Sequence, residues 1–246
     1  MKNKIAVIVT AAGTSSRLDL GVKKEFLPLK NGTVLSESVK SFVESCDVQI
    51  LVVTYLKGNL EETKKALFSD SSLYKKLNFL ISEKNLILNF SEGEETRQKS
   101  VFSGLKSIEK IILSKKENLS EYSVLIHDGA RPFVSSETIQ NVISATAEFG
   151  SEVPGRRPTD SVVQISEDGF MEKAINRDIL SLVQTPQGFL FENLFEAYKK
   201  SLNDNNIYTD DTAIWQKYVQ NAKTKIVPGS EENIKITFKN DLRNLF

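Results

Sequence analysis

The stretch Ile5-Ala6-Val7-Ile8-Val9-Thr10-Ala11-Ala12-Gly13-Thr14-Ser15-Ser16-Arg17, followed by Lys23-Lys24-Glu25-Phe26-Leu27-Pro28, decides the fold. Ile5 to Val9 is apolar on both alternating faces, the pattern of a strand covered on both sides of a parallel sheet. It breaks into small, flexible residues and then a cation. Small side chains let a backbone come close to a ligand, and consecutive N–H groups in a tight turn form a concavity suited to an anion. Arg17 and Lys24 add mobile positive charge where that anion would sit. The reading is a loop for a nucleoside triphosphate. Neither Gly-x-Gly-x-x-Gly nor Gly-x4-Gly-Lys-Ser/Thr is present. On spacing alone, an ordinary strand-to-helix connection with a surface Arg and Lys stays open.

The chain has 246 residues, enough for a full core in one domain over 1–246. Lys+Arg and Asp+Glu are equal at 32 each, which gives no basic footprint for nucleic acid. A small anionic substrate needs only a local cluster, so neutrality leaves a nucleotide open. No run reaches membrane-spanning length and the N-terminus lacks a signal-peptide core, so a cytoplasmic protein without a membrane partner is expected. The single cysteine, Cys46, suits a reducing compartment, and it falls on the apolar stripe Leu35, Val39, Phe42, Val43.

Apolar runs alternate with helical periodicity, which predicts an α/β fold: a mostly parallel sheet flanked by helices. A helix is expected over 34–44, a strand over 50–54 and a polar helix with Leu60 and Leu67. Phe79-Leu80-Ile81 and Ile87-Leu88 both read as short strands, with their place in the sheet open. A polar turn over 91–99 leads to a helix carrying Val101, Phe102, Leu105, Ile108 and Ile112. A strand over 123–126 ends in His127-Asp128-Gly129-Ala130-Arg131-Pro132, and Ser135 or Ser136 caps the next helix. Ser161 to Ile165 and Met171 to Ile175, around Glu167-Asp168-Gly169, read as a hairpin within an arm at about 155–185. Such a hairpin needs a partner surface, and a second subunit is expected to supply it. Later come a helix over 192–202, a capped helix after Thr209-Asp210-Asp211 with Ile214, Trp215 and Tyr218 facing in, a strand over 233–237 and a short helix over 241–246.

Ligands of open α/β sheets gather at the carboxyl ends of strands. Ala11 to Arg17, Asp128 to Arg131, and Lys235 with Thr237 are the polar clusters expected there. Asp128 is well placed to hold Mg2+ against a triphosphate, although an Asp-Gly turn is the alternative. His127, the one histidine, reads as a packed or solvent-edge residue rather than a base.

Ala11-Ala12-Gly13 with Arg17, and Lys24-x-Phe26-Leu27, resemble the signature of the sugar-phosphate nucleotidyltransferases. The resemblance extends almost end to end. It runs through Arg97-x-x-Ser100-Val101, His127 to Phe133, Asp160-Ser161, Arg177, Thr185-Pro186-Gln187-Gly188-Phe189, Thr209-Asp210-Asp211 and Asn233 to Thr237. Together these are similar to the methylerythritol phosphate cytidylyltransferase family. The resemblance implies a Rossmann-like nucleotidyltransferase fold, a homodimer joined through the hairpin arm, CTP and methylerythritol phosphate as substrates, and Mg2+. It implies that Arg17 and Lys24 stabilise the transition state and departing pyrophosphate, and that Asp128 holds the metal. Ala11, Ala12, Gly13, Gly93 and Ser100 would line the CTP site. Arg177 from a partner's arm and Lys235 would act at the acceptor, with Arg131, Ser161 and Thr185 nearby. Read without the resemblance, Arg177 is rather an exposed arm residue and Lys235 a surface lysine on an edge strand. A ribitol 5-phosphate cytidylyltransferase and a catalytically idle nucleotide-binding module are the alternatives. The chain departs from the family pattern at Ser15 for a glycine, Glu94 after Gly93, Ser161 for a threonine and Val163 for a lysine. It also carries the added cations of Pro154-Gly155-Arg156-Arg157-Pro158.

Overall fold

The computed structural model describes residues 3–15, 18, 21–204, 206 and 208–244, with the side chain of 244 left aside. In chain order the strands are β1 (Lys4–Ala11), β2 (Pro28–Leu29), β3 (Gly32–Thr33), β4 (Val48–Tyr55), β5 (Ile87–Glu92) and β6 (Tyr122–Asp128). They continue with β7 (Ser151–Arg156), β8 (Val162–Ile165), β9 (Met171–Ile175), β10 (Leu182–Val183), β11 (Gln187–Leu190) and β12 (Lys225–Pro228). The helices are α1 (Val34–Ser45), α2 (Leu60–Leu67), α3 (Ser71–Lys84), α4 (Arg97–Ser114), α5 (Ser136–Phe149), α6 (Phe191–Ser201) and α7 (Asp211–Tyr218).

The main sheet runs β10-β7-β11-β6-β1-β4-β5, with β12 added on β7. β6, β1, β4 and β5 are mutually parallel, whereas β11 lies antiparallel to both β6 and β7. The fold is therefore the expected mostly parallel α/β sheet, with an antiparallel flank. Val7 and Val9 on one face of β1 pack with Leu35, Val39 and Phe42 of α1, and Ala6 and Ile8 on the other with Val101, Leu105 and Ile108 of α4. That two-sided covering is why β1 reads as an unbroken apolar run. Burying each such side chain contributes roughly 1.5–3 kcal/mol. α4 comes close because Gly104 faces Ile8, where a Cβ would stand 3.1 Å from Cδ1.

Helix ends follow local chemistry. Thr33 and Ser36 form a reciprocal capping box on α1. Ser135 caps α5 by accepting from Thr138 N, as expected, and Gly150 ends that helix at φ +85°. His127 is packed, as expected: fully buried, its ring centroid 5.0 Å from that of Phe42 in an edge-to-face arrangement, with burial pushing the imidazole down to about 4. Burial pushes the Cys46 thiol up to about 12, which suits a packing role.

Several expectations are corrected. Phe79-Leu80-Ile81 is helical, part of α3, and Ile87-Leu88 alone enters the main sheet. Asp70 caps α3 through Ser72 N and Leu73 N, and Leu73 and Leu77 bury one helical stripe, which overrides the β-like triplet. Asn233 to Thr237 is no strand. It is held by Ile236 N donating to Ala130 O at 2.9 Å and by burial of Ile236 beside Leu29 and Val34, with no ladder. β7 and β12 occupy segments not expected as strands. By contrast, Ile214, Trp215 and Tyr218 of α7 face in as expected, the first two buried and Tyr218 half buried against the same core. The last helix is a 3-10 turn over Lys239–Asn244, and residues 245 and 246 of the expected helix lie outside the described residues. β8 and β9 pair with each other and, among the described residues, with no other strand.

Candidate active site

β1 and β6 run parallel, with Thr10 paired to Asp128, so the loop after β1 and the turn after β6 leave the sheet side by side. Between them and the start of α4 lies a cleft of about 370 Å³. Ala12, Gly13, Lys24, Ser100, Asp128 and Lys235 line it, together with Thr14, Ser15, Glu94, Glu95, Thr96, Arg97 and Thr237. Sequence positions from one end of the chain to the other meet here.

Asp128 is the centre of the charge. Its Oδ2 lies 2.9 Å from Lys235 Nζ and 3.3 Å from Arg131 Nε, and its Oδ1 is 3.9 Å from Arg97 Nε. Burial alone would push this carboxyl up. The three cations hold it well below the usual carboxylate range, so it is ionised. Its backbone N–H donates to Thr185 Oγ1 at 3.0 Å, and Arg131 Nη1 donates to Asn233 O at 2.7 Å. Asn233 Nδ2 donates in turn to Thr185 O at 2.9 Å, which fixes the segment that carries Lys235.

The side of the cleft at the β1 loop is built from backbone. Ser15 sits at φ 57°, the left-handed region that explains a glycine preference at this position. Its hydroxyl offsets the strain by accepting from Lys24 N at 3.2 Å and donating to Glu25 Oε2 at 3.3 Å. Lys23 is buried under the loop, its Nζ donating to Ala11 O at 2.8 Å and to Gly13 O. Burial lowers its pKa, and Glu25 at 4.0 Å partly offsets this. Gly93 N donates to Tyr55 O at 2.7 Å, and a Cβ there would collide with Ala12 Cβ. Ser100 Oγ accepts from Glu94 N at 3.0 Å, while the Glu94 carboxylate leans outward to 3.9 Å from Lys106 Nζ.

The expected site residues thus divide. Ala12, Gly13, Lys24, Ser100, Asp128 and Lys235 are gathered at the cleft, and Ala11 and Gly93 shape it from behind. Arg131 flanks Asp128 and Thr185 is buried behind it. Ser161 and Arg177 are exposed and do not line the cleft of their own chain; Arg177 Nη1 donates to Thr159 O. Arg17 lies outside the described residues. Lys23 was missed because adjacent lysines look alike until the loop's fold buries one. Arg97 was quoted only as part of a motif, yet Asp211 holds it through two bonds, Nη1 to Oδ1 at 2.8 Å and Nη2 to Oδ2 at 2.6 Å. The pairing of Thr209-Asp210-Asp211 with Arg97-x-x-Ser100 was the signal available.

Residues 5–244 match the family model for 2-C-methyl-D-erythritol 4-phosphate cytidylyltransferase. The protein of that name from Clostridium novyi is 32% identical over 240 residues, covering 98% of this chain and 94% of the relative. That from Clostridium botulinum strain Eklund 17B is 34% identical over 238 residues, covering 97% and 96%. Among solved structures, 4-diphosphocytidyl-2C-methyl-D-erythritol synthase from Anaerococcus prevotii superimposes with a TM-score of 0.77 at 25% identity, covering 98% of this chain and 94% of that one. The Thermus thermophilus 2-C-methyl-D-erythritol 4-phosphate cytidylyltransferase gives 0.71 at 26% identity, covering 98% and 96%.

Proposed function

We infer that this chain, which belongs to the 2-C-methyl-D-erythritol 4-phosphate cytidylyltransferase family, transfers CMP from CTP to 2-C-methyl-D-erythritol 4-phosphate. The products are 4-diphosphocytidyl-2-C-methyl-D-erythritol and pyrophosphate, and the step belongs to isoprenoid precursor synthesis. The observation that carries the reading is Asp128 ringed by Lys235, Arg131 and Arg97, across one cleft from Lys24.

A phosphate oxygen of the acceptor attacks the α-phosphorus of CTP, and the bond from that phosphorus to the β-bridging oxygen breaks. The attacking monoester is mostly ionised near neutrality, given a second pKa near ~6. No side chain has to remove a proton, and His127, buried and held by Thr185, is spared that role. What remains is positioning of two anions and stabilisation of the charge on the five-coordinate phosphorus and leaving group. Lys24 and Arg17 serve the leaving pyrophosphate in this reading. Ala11, Ala12, Gly13, Gly93 and Ser100 shape the CTP site, mostly through backbone groups. Lys235 and Arg131 steady the acceptor phosphate, and Thr185 acts on it through Asp128.

Mg2+ fits Asp128 as a shared ion. The carboxylate is ionised and faces the cleft, and Arg97 Nε stands at 3.9 Å from Oδ1, beyond hydrogen-bond reach. No group of three or more His, Cys, Asp or Glu is gathered among the described residues, so Asp128 would hold the ion together with oxygens of the triphosphate. When bound, the ion neutralises the triphosphate.

The exposed apolar residues Ile165, Phe170, Met171 and Ile179, between 63% and 79% exposed, support an arm that docks on a second copy. Arg177, on that arm and away from its own cleft, is proposed to serve the partner's acceptor site. We place the homodimer in the cytoplasm, where the single free thiol stays reduced.

Pyrophosphate release from each of the four nucleoside triphosphates, with methylerythritol phosphate and ribitol 5-phosphate as acceptors, tests the assignment. CTP with methylerythritol phosphate is expected to give the highest kcat/KM. A faster rate with another triphosphate, or with ribitol 5-phosphate, overturns it.

A further inference from the structure

We propose that Arg156 is a specificity-determining residue that grips the acceptor's phosphate, in a side pocket that opens off the cleft at Lys235. The inference rests on the cytidylyltransferase reading above. The pocket has a volume of about 300 Å³, and Arg131, Arg156, Gln184, Glu231, Asn233 and Lys235 lie on its wall. Lys235 also lines the main cleft, so a group seated at the mouth meets the same ammonium that faces the donor.

The three cations of this pocket are not equivalent. Lys235 is drawn to Asp128 at 2.9 Å. Arg131 divides its donors between Asp128 and the Asn233 carbonyl. Arg156 has no carboxylate within ion-pair distance among the described residues, Glu231 on the same wall included. A guanidinium offers parallel N–H donors that match two phosphate oxygens, and it stays charged at any working pH.

The backbone beneath Arg156 is clamped. Arg156 pairs with Leu182 across β7 and β10, while the preceding residues pair with β12 on the other side. At Gly155 a Cβ would collide with Ser181 Oγ. The guanidinium therefore starts from a fixed point beside the mouth. The attacking group is a phosphate dianion that must reach the α-phosphorus in the cleft, so it belongs at that mouth. With Lys235 already committed to Asp128, one more cation is needed to balance it, and of the three Arg156 is the one without a carboxylate partner among the described residues. The added positive charge of Pro154-Gly155-Arg156-Arg157-Pro158 acquires a purpose in this way.

Steady-state pyrophosphate release by Arg156→Ala, Arg156→Lys and Arg156→Gln tests this, each variant checked by thermal melting. Arg156→Ala is expected to raise the acceptor KM about 10- to 100-fold, the loss typical of a charged hydrogen bond, with the CTP KM within about twofold. Arg156→Lys should recover most of that loss and Arg156→Gln little. An acceptor KM unchanged in Arg156→Ala overturns the proposal. So does equal recovery by Gln and Lys, which assigns the contact to an acceptor hydroxyl. If Arg156→Ala does not fold, the comparison of Lys with Gln decides by the same criterion. A wild-type protein that releases no pyrophosphate from CTP with either acceptor overturns the underlying reaction, a failure seen before any variant is made.

Discussion

Asp211 grips Arg97 with both carboxylate oxygens, at 2.8 and 2.6 Å, from a position with no solvent exposure. The Tyr198 hydroxyl, also fully buried, donates to the same carboxylate. Arg97 Nε is left 3.9 Å from Asp128, so α6 and α7 set the position of one cation on the wall of the cleft. Bidentate pairing compensates the cost of burying Asp211, and it removes the freedom of Arg97 to swing.

Asp211 is thus a positioning residue that acts through Arg97. Asp211→Asn should lower kcat about 10- to 100-fold and destabilise the fold by about 3–5 kcal/mol, the range for breaking a buried pair. Tyr198→Phe, which loses only a hydroxyl, should cost about 1 kcal/mol and a few-fold in kcat. The informative measurement is a double-mutant cycle on kcat: in an Arg97→Lys background, Asp211→Asn should have little further effect. Additive losses would assign Asp211 to stability alone.

Lys23 and Lys24 are adjacent but separable. Lys24→Ala should reduce kcat about 10²- to 10³-fold, or ~3–4 kcal/mol. Lys23→Met removes the donor to the Ala11 and Gly13 carbonyls, at a cost of roughly 1–3 kcal/mol for the buried Ala11 carbonyl. It should lower the melting temperature and raise the CTP KM. Melting curves for Lys23→Met set beside single-turnover rates for both variants distinguish the two, and an unchanged single-turnover rate in Lys24→Ala would contradict the assignment.

Gly93→Ala tests the close approach of two loops. The new methyl meets Ala12 Cβ and stands 3.2 Å from Tyr55 O, so the loop after β5 has to move off the β1 loop. The CTP KM should rise about tenfold or more, with the acceptor KM nearly unchanged. Titration with both substrates shows whether the effect is confined to the donor side.

Glu152 on β7 is buried with both carboxylate oxygens lacking a hydrogen-bond partner among the described residues, and burial pushes its carboxyl up to about 8 from 4.5. The native state therefore holds a proton that the unfolded chain releases between those values. Stability should fall as pH rises from about 4.5 to 8, by up to ~1.4 kcal/mol per unit, and level off above. Glu152→Gln should flatten that slope and gain stability at pH 8. Urea unfolding at pH 5 and pH 8 reads both effects. A wild-type slope already flat would mean that the carboxyl finds a partner.

Much of this was legible locally. The apolar run of β1 and the small residues after it announced a covered strand and a ligand loop, because both are properties of neighbouring residues. The α3 stripe was legible too, through Leu73, Leu77 and Leu80 at helical spacing, but Phe79-Leu80-Ile81 alone looked like a strand. β7 was hidden by Pro154 and Gly155, which read as a loop. The contact of Lys235 with Asp128 has no local trace. It depends on Asn233 and Ile236 anchoring a non-repetitive segment against the end of β6; the strand-end rule and the resemblance brought both residues to one site, but neither showed the contact.

That anchoring has a consequence for synthesis on the ribosome. β1, β4, β5, β6 and α4, with the donor loop, precede in the chain the residue that faces Asp128 across the mouth. A nascent polypeptide could shape its nucleotide cradle while Lys235 is still untranslated, yet Asp128 would lack the nearest of its counterions. Turnover would begin only once the late segment threads back onto Ala130 and Thr185, which ties the onset of activity to translation past Lys235.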